Sequence, residues 1–194
     1  MKKVILVTGF GSFGDYVENP SWLAVKKLHE MGIETDDFLL VIQEVPVSYE
    51  TVKKTVPMLW KEYNPELVIH VGVSAKANCI TLEECAHNCS YNLCDVNSSL
   101  PEGNVCKENG EDCIHSKLDL KIICTNMNEN YPIKATISND AGRYLCEYIY
   151  YMSLCENDRR TLFIHVPPEN KPYTITELAE GLRFVINDIL KQIK

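Results

Sequence analysis

The sequence predicts an α/β fold, a single-domain three-layer α/β/α sandwich built on a mostly parallel twisted sheet. Apolar β-prone runs such as residues 4–7 and Leu67–Val73 read as strands buried on both faces. Between them lie segments whose apolar residues recur at helical spacing, as in Pro20–Met31 and residues 176–193. The two kinds alternate along nearly the whole chain, the order expected of strand–helix–strand crossovers. At 194 residues the length suits one domain spanning 1–194 with a sizeable core.

Residues 1–9 join a positive flank to an apolar run, but the run is too short for the core of a signal peptide and ends at a glycine turn. It is read as the first strand. Gly9, Gly11 and Gly14 then satisfy the G-x-G-x-x-G pattern of dinucleotide loops. Such a loop runs straight into its helix, whereas here residues 15–18 intervene before Asn19-Pro20, an N-cap followed by a proline at the first helical position. The second strand, 38–44, also lacks a ribose-binding acid about 20 residues after the glycines. Phe10 and Phe13 are read as aromatic faces offered to a pocket, against the alternative that they plug the core beneath the loop.

The helix Pro20–Met31 is expected to turn Trp22, Leu23, Val25 and Leu28 inward and to leave His29 solvated near its last carbonyls. Residues 48–63 form a second helix with an interruption at Pro57. His70, in the middle of the strand Leu67–Val73, reads as a satisfied core histidine. Residues 80–85 are extended, so alternation sends Glu83 and Glu84 to opposite faces, and spacing alone does not choose between them.

From about 85 to 115 the character changes to an irregular excursion in which Cys85, His87, Cys89, Cys94, Cys106, Cys113 and His115 are scattered among polar residues. The spacing lacks the paired C-x-x-C knuckles of structural zinc sites, so these are read as free thiols with no metal and no cofactor. A helix follows at 119–128, then a strand Ala135–Ser138, turn-forming Asn139, Asp140 and Gly142, and a segment with Tyr144, Tyr148, Tyr151 and Leu145, Ile149, Met152 at helical spacing. After a charged turn at 156–160, residues 161–168 form a strand ended by two prolines, with His165 at its C-terminal end. That edge of an open α/β sheet is where ligands gather. The last helix, 176–193, carries Leu178, Leu182, Val185, Ile186, Ile189 and Leu190 on one side.

With 27 acidic against 19 basic residues and no basic block, the chain is unsuited to nucleic acid or an anionic membrane surface. No segment has the length of a membrane span, and nine cysteines, an odd number, suit a reducing cytoplasm.

Cys146 falls near a helix start, where unpaired N–H groups and the positive end of the helix dipole favour a thiolate. The alternative is a buried small hydrophobe. A cysteine peptidase needs a thiolate, an imidazole beside it and a group that orients the imidazole. Cys146 and His165 meet the positional requirement, with Glu83 or Glu84 as the third member.

Several separated motifs extend this reading: Thr8-Gly9-Phe10-x-x-Phe13-Gly14 with Asn19-Pro20-Ser21-Trp22, Ile80-Thr81-Leu82-Glu83 with Asn88, Ser138-x-x-Ala141-Gly142-x-Tyr144-Leu145-Cys146, and Phe163-Ile164-His165-Val166-Pro167. Together they resemble the pyroglutamyl peptidase I (pyrrolidone-carboxylate peptidase) family, and its animal members most closely. The resemblance implies hydrolysis of an N-terminal pyroglutamyl residue from peptides without metal or cofactor, by a monomer rather than a tetramer. It assigns Cys146 as nucleophile, His165 as general base and acid, and Glu83 as the carboxylate that orients the histidine. It places Phe10 and Phe13 around the pyrrolidone ring and Tyr144 and Leu145 at the pocket wall. Bacterial members carry an Asn-x-Asp-x-x-Arg segment where this chain has Asn88-Cys89-Ser90-Tyr91-Asn92-Leu93, so oxyanion stabilisation is expected from backbone N–H groups near Cys146. They also carry Gln-Ala-Gly where this chain has Val73-Ser74-Ala75, so at Val73 a side-chain contact with substrate is expected to be lost or replaced by backbone.

Overall fold

The computed structural model describes residues 2–33, 37–156 and 160–193. In chain order the elements are β1 (Lys3–Phe10), α1 (Pro20–Met31), β2 (Phe38–Val45), α2 (Tyr49–Tyr63), β3 (Leu67–Val73), β4 (Ile80–Glu83), β5 (Cys85–His87), β6 (Cys113–His115), α3 (Leu120–Asn130), β7 (Ala135–Ser138), α4 (Leu145–Leu154), β8 (Thr161–Val166) and α5 (Ile175–Gln192). Six strands form one sheet in the order β2-β1-β3-β8-β4-β7. The first four are mutually parallel; β4 runs antiparallel to β8 and parallel to β7. The sheet is thus mostly parallel with a reversed two-strand edge.

The inner strands of the parallel part, β1, β3 and β8, are sealed on both faces, which is why their sequences are largely continuous apolar runs, while the edge strand β2 stays half-buried. On one face Ile5, Val7, Ile69, Val71 and Ile164 pack with Val25 and Leu28 of α1, Ile123 and Met127 of α3 and Leu182, Val185 and Ile189 of α5. On the other, Leu6, Val68 and Phe163 pack with Val52 and Val56 of α2 and Tyr148, Ile149 and Tyr151 of α4. These two apolar layers make the three-layer sandwich. No described helix is long and apolar enough to cross a membrane.

Side chains set the helix starts. Asn19 Oδ1 accepts the Ser21 N–H at the head of α1, and Ser48 Oγ accepts the Thr51 N–H at the head of α2. At α5, Thr174 and Glu177 form a reciprocal capping box, a Thr-x-x-Glu signature that periodicity passes over. Gly9 lets the end of β1 press against α1, since a Cβ there would lie 2.8 Å from the Trp22 Cα.

Three expectations need correcting. In α1, Ser21 and Ala24 are buried with Val25 and Leu28, while Trp22 and Leu23 are only half-buried; the helix meets the sheet on its small-residue side, rotated from the bulky one. Pro57 lies on the exposed face of α2, and the helix runs through it unbroken. The excursion from Cys85 is not irregular at its ends, where β5 and β6 pair as an antiparallel ribbon with Ala86 and Ile114 buried against the second core. Met1, and Asn157, Asp158 and Arg159 of the expected charged turn, lie outside the described residues.

Candidate active site

The reversed edge of the sheet brings together two side chains that are far apart in sequence. In the β4–β8 register His165 stands opposite Thr81 and Glu83 opposite Phe163, so His165 and Glu83 are diagonal neighbours on one face. Their side chains meet, with His165 Nδ1 2.7 Å from Glu83 Oε1. Glu83 is 2% exposed, and its Oε2 has no hydrogen-bond partner among the described residues. A buried carboxylate in that condition needs a positive neighbour. The Tyr150 hydroxyl donates to the Glu83 carbonyl at 2.8 Å and pins the strand, and the Phe163 ring packs 4.8 Å from the imidazole. Glu84, which spacing left as the alternative, is half-buried and does not line the groove that Glu83 and His165 share; its backbone N–H binds the Ser138 carbonyl.

Cys146 arrives from the other direction, as the second residue of α4. Gly142, at φ 80°, turns the chain between β7 and the helix. The N-cap residue Tyr144 is extended and provides no side-chain cap, which leaves first-turn N–H groups around Cys146 without one among the described residues. Burial works against charge on His165, but hydrogen bonds to Cys146 and Glu83 outweigh it and raise the imidazole to about pKa 10. The imidazole ring is therefore held between the Cys146 sulfur and the Glu83 carboxylate in a setting that favours its protonated form. Gly72, paired with His165 in the β3–β8 register, leaves the room the sulfur occupies, since a Cβ there would fall 2.9 Å from Sγ.

Two depressions meet at Cys146. One is an apolar cavity of about 180 Å³ walled by Phe10, Phe13, Val73, Tyr144 and Leu145. The other is an open groove of about 580 Å³ that shares Val73, Ala75 and Tyr144 with the cavity and reaches Glu83 and His165. All eight residues singled out from the sequence thus lie at this junction. Phe10 is buried in the second core and also lines the cavity. Phe13 is 38% exposed, with its ring centroid 5.6 Å from that of Tyr144 across the mouth. A two-bond turn between Phe13 and Tyr16 shapes this loop, and Asn19 Nδ2 ties it to α1 by donating to the Gly11 carbonyl.

Sequence reasoning missed Tyr16, Val47 and Ala75 as lining residues, and it gave Asn19 only its capping role. Val47 and Ala75 lie just beyond the C-terminal ends of β2 and β3, a position that was a usable signal. It also missed Glu147, the residue after Cys146. Glu147 is fully buried; its Oε2 accepts from Arg143 at 2.7 Å, and its Oε1 lies 2.9 Å from His87 Nδ1 and accepts the His87 N–H. Burial raises its carboxyl, and the His87 and Arg143 contacts pull the other way. This network fixes the first turn of α4. His70, by contrast, is the core histidine expected: its ring nitrogens lie 2.7 Å from Thr8 Oγ1 and 2.7 Å from Ser153 Oγ, and burial lowers it to about pKa 3. Among the described residues, one cluster of three metal-donor side chains occurs, formed by Cys85, Cys113 and His115 outside the groove.

A sequence profile for pyroglutamyl peptidase matches residues 2–180. The pyroglutamyl-peptidase 1 of Homo sapiens is 42% identical over 190 residues, covering 97% of this chain and 90% of that protein. The pyrrolidone-carboxylate peptidase of Oceanobacillus iheyensis is 33% identical, covering 88% of this chain and 86% of its own. Among solved structures, a variant pyrrolidone carboxyl peptidase from the hyperthermophile Pyrococcus furiosus superposes with a TM-score of 0.89 at 27% identity, covering 98% of this chain and 100% of that one.

Proposed function

The chain belongs to the pyroglutamyl peptidase family, and we propose that it is a cysteine peptidase that hydrolyses the N-terminal pyroglutamyl residue from peptides with a Cys146–His165–Glu83 triad. The observation that carries the triad is the line Glu83–His165–Cys146 ending at the mouth of an apolar cavity.

The cavity is smaller than the roughly 300–1,000 Å³ of sites for drug-sized ligands, which suits one small ring. A pyroglutamyl ring is flat and uncharged, so it enters walls of Phe10, Phe13, Tyr144 and Leu145 without the desolvation cost that a protonated N-terminus would carry. The rest of the peptide lies in the open groove. With the ring seated, its acyl carbon faces Sγ of Cys146. The thiolate attacks, forming the C–S bond, and the oxyanion develops toward the uncapped N–H groups of the first turn of α4. As the C–N bond breaks, His165 gives its proton to the departing amine. Water then attacks the thioester, passes a proton to His165 and releases pyroglutamate with the Cys146 thiolate and the protonated imidazole restored. Glu83 holds the imidazole in place and stabilises its charged form.

We place the enzyme in the cytoplasm, a setting that suits its nine free cysteines, and expect a monomer from its likeness to the animal members. Assaying a pyroglutamyl fluorogenic amide beside a prolyl amide tests the specificity, because the prolyl ring is charged and lacks the lactam carbonyl. Selective turnover of the pyroglutamyl compound is expected; equal turnover of both overturns the reading.

A further inference from the structure

The ribbon of β5 and β6 gathers donors that their spacing along the chain keeps apart. Its register pairs Cys85 with His115 and His87 with Cys113, which puts all four on one face, while Ala86 and Ile114 anchor the other face in the second core. His87 is engaged by Glu147, with Nδ1 2.9 Å from Oε1. The remaining three cluster: the Cys85 and Cys113 sulfurs and a His115 ring nitrogen all lie within 4.8 Å of one another. Cys113 Sγ and His115 Nε2 are 3.9 Å apart.

We propose that Cys85, Cys113 and His115 form a binding site for a soft d10 cation of the zinc class, separate from the Cys146–His165 pair. Two thiolates and a neutral imidazole are the ligand set such ions prefer, and three protein ligands leave a fourth tetrahedral position for water. Metal–sulfur bonds of about 2.3 Å put two sulfurs on one tetrahedral centre about 3.8 Å apart, so small side-chain rotations close the observed span. The site is graded for entry and for hold: Cys85 is buried, Cys113 is half-buried and His115 is exposed. The neighbouring Glu84 adds negative charge near Cys85. Binding exchanges both thiol protons for the cation, and the Cys85 proton leaves its bond to the Asn139 carbonyl.

The test uses the full chain carrying Cys146→Ala, which removes the other thiol–imidazole pair and makes the result independent of the peptidase reading. Reduced, metal-free protein is titrated with Zn²⁺ against a chromophoric chelator, and separately with Co²⁺ by absorption. One equivalent of Zn²⁺, release of protons on binding and a thiolate-to-cobalt charge-transfer band are expected. Cys113→Ser and His115→Ala, both at accessible positions, should each weaken binding by more than about 100-fold, beyond what loss of an outer-shell partner costs. Absence of a bound equivalent, or binding that survives Cys113→Ser unchanged, overturns the proposal.

Discussion

His165 Nδ1 lies 2.7 Å from Glu83 Oε1 because β4, which carries Glu83, runs antiparallel beside β8, which carries His165. In a wholly parallel sheet the same two strands would offset these residues differently. The reversed edge is what sets a buried carboxylate behind the imidazole at the end of a strand.

Replacing Glu83 by Gln keeps the hydrogen-bonding shape but removes the charge. His165 is held protonated to about pKa 10, and one of the contacts that raises it is Glu83. The parent enzyme should therefore keep its general acid until high pH and lose kcat/KM as the imidazolium deprotonates. In the Glu83→Gln variant that alkaline limb should move to lower pH, and kcat should fall by about 100-fold or more. A pH–rate profile with an unmoved alkaline limb contradicts this role.

Phe13 is partly exposed and contributes little to the core, so Phe13→Ala should leave the unfolding midpoint nearly unchanged. It should raise KM for pyroglutamyl amides by about tenfold, the order expected from losing one aromatic contact. Phe10→Ala removes a buried ring and should lower stability as well, by about 3 kcal/mol or more. Thermal melts beside steady-state kinetics separate the two.

A Cβ at Gly72 would meet the Phe163 ring at 2.7 Å and Cys146 Sγ at 2.9 Å. Gly72→Ala should displace the sulfur from the imidazole and reduce kcat/KM by about 100-fold, the scale of a 1 Å misplacement. The rate of iodoacetamide labelling at Cys146 should fall in parallel, and unchanged labelling would show that the sulfur had not moved.

How legible these residues were follows from what kind of contact each makes. Strands such as Leu67–Val73 and Thr161–Val166 and helices such as α5 announce themselves by local apolar pattern, which spans only neighbouring residues. The positions of Cys146 at a helix start and His165 at a strand end are also local, and both stand where they were read. Sheet order is not local: nothing between Ile80 and Glu83 says that β4 will lie against β8 in reverse. The choice between Glu83 and Glu84 therefore rested on family resemblance. The same limit hid the His87–Glu147 contact, made between the ribbon and α4, and the meeting of Cys85 with Cys113, made by the ribbon's register; the Arg143–Glu147 pair, four residues apart, was local and went unread. Trp22 misled because periodicity gives a helix its apolar face but not which edge of that face meets the sheet.

His70 is buried between Thr8 and Ser153 with its pKa lowered to about 3, against about 6.5 in an unfolded chain. Between those values the unfolded state binds the proton that the folded state refuses. The contribution of His70 to stability is therefore full above about pH 6.5 and declines as pH falls toward 3, with a slope approaching about 1.4 kcal/mol per pH unit. Urea unfolding from pH 7 to pH 4 should show that slope, and His70→Gln should reduce it. An identical acid slope in the variant would assign the acid sensitivity elsewhere.

The most direct test of the Cys146 assignment is hydrolysis of a pyroglutamyl fluorogenic amide by Cys146→Ala protein whose melting temperature matches the parent. Because Cys146 is the only sulfur that the structure sets between His165 and the apolar cavity among the described residues, kcat should fall on the order of 10⁴-fold or more. A folded Cys146→Ala protein that still turns over the pyroglutamyl amide at a rate near the parent's contradicts the account.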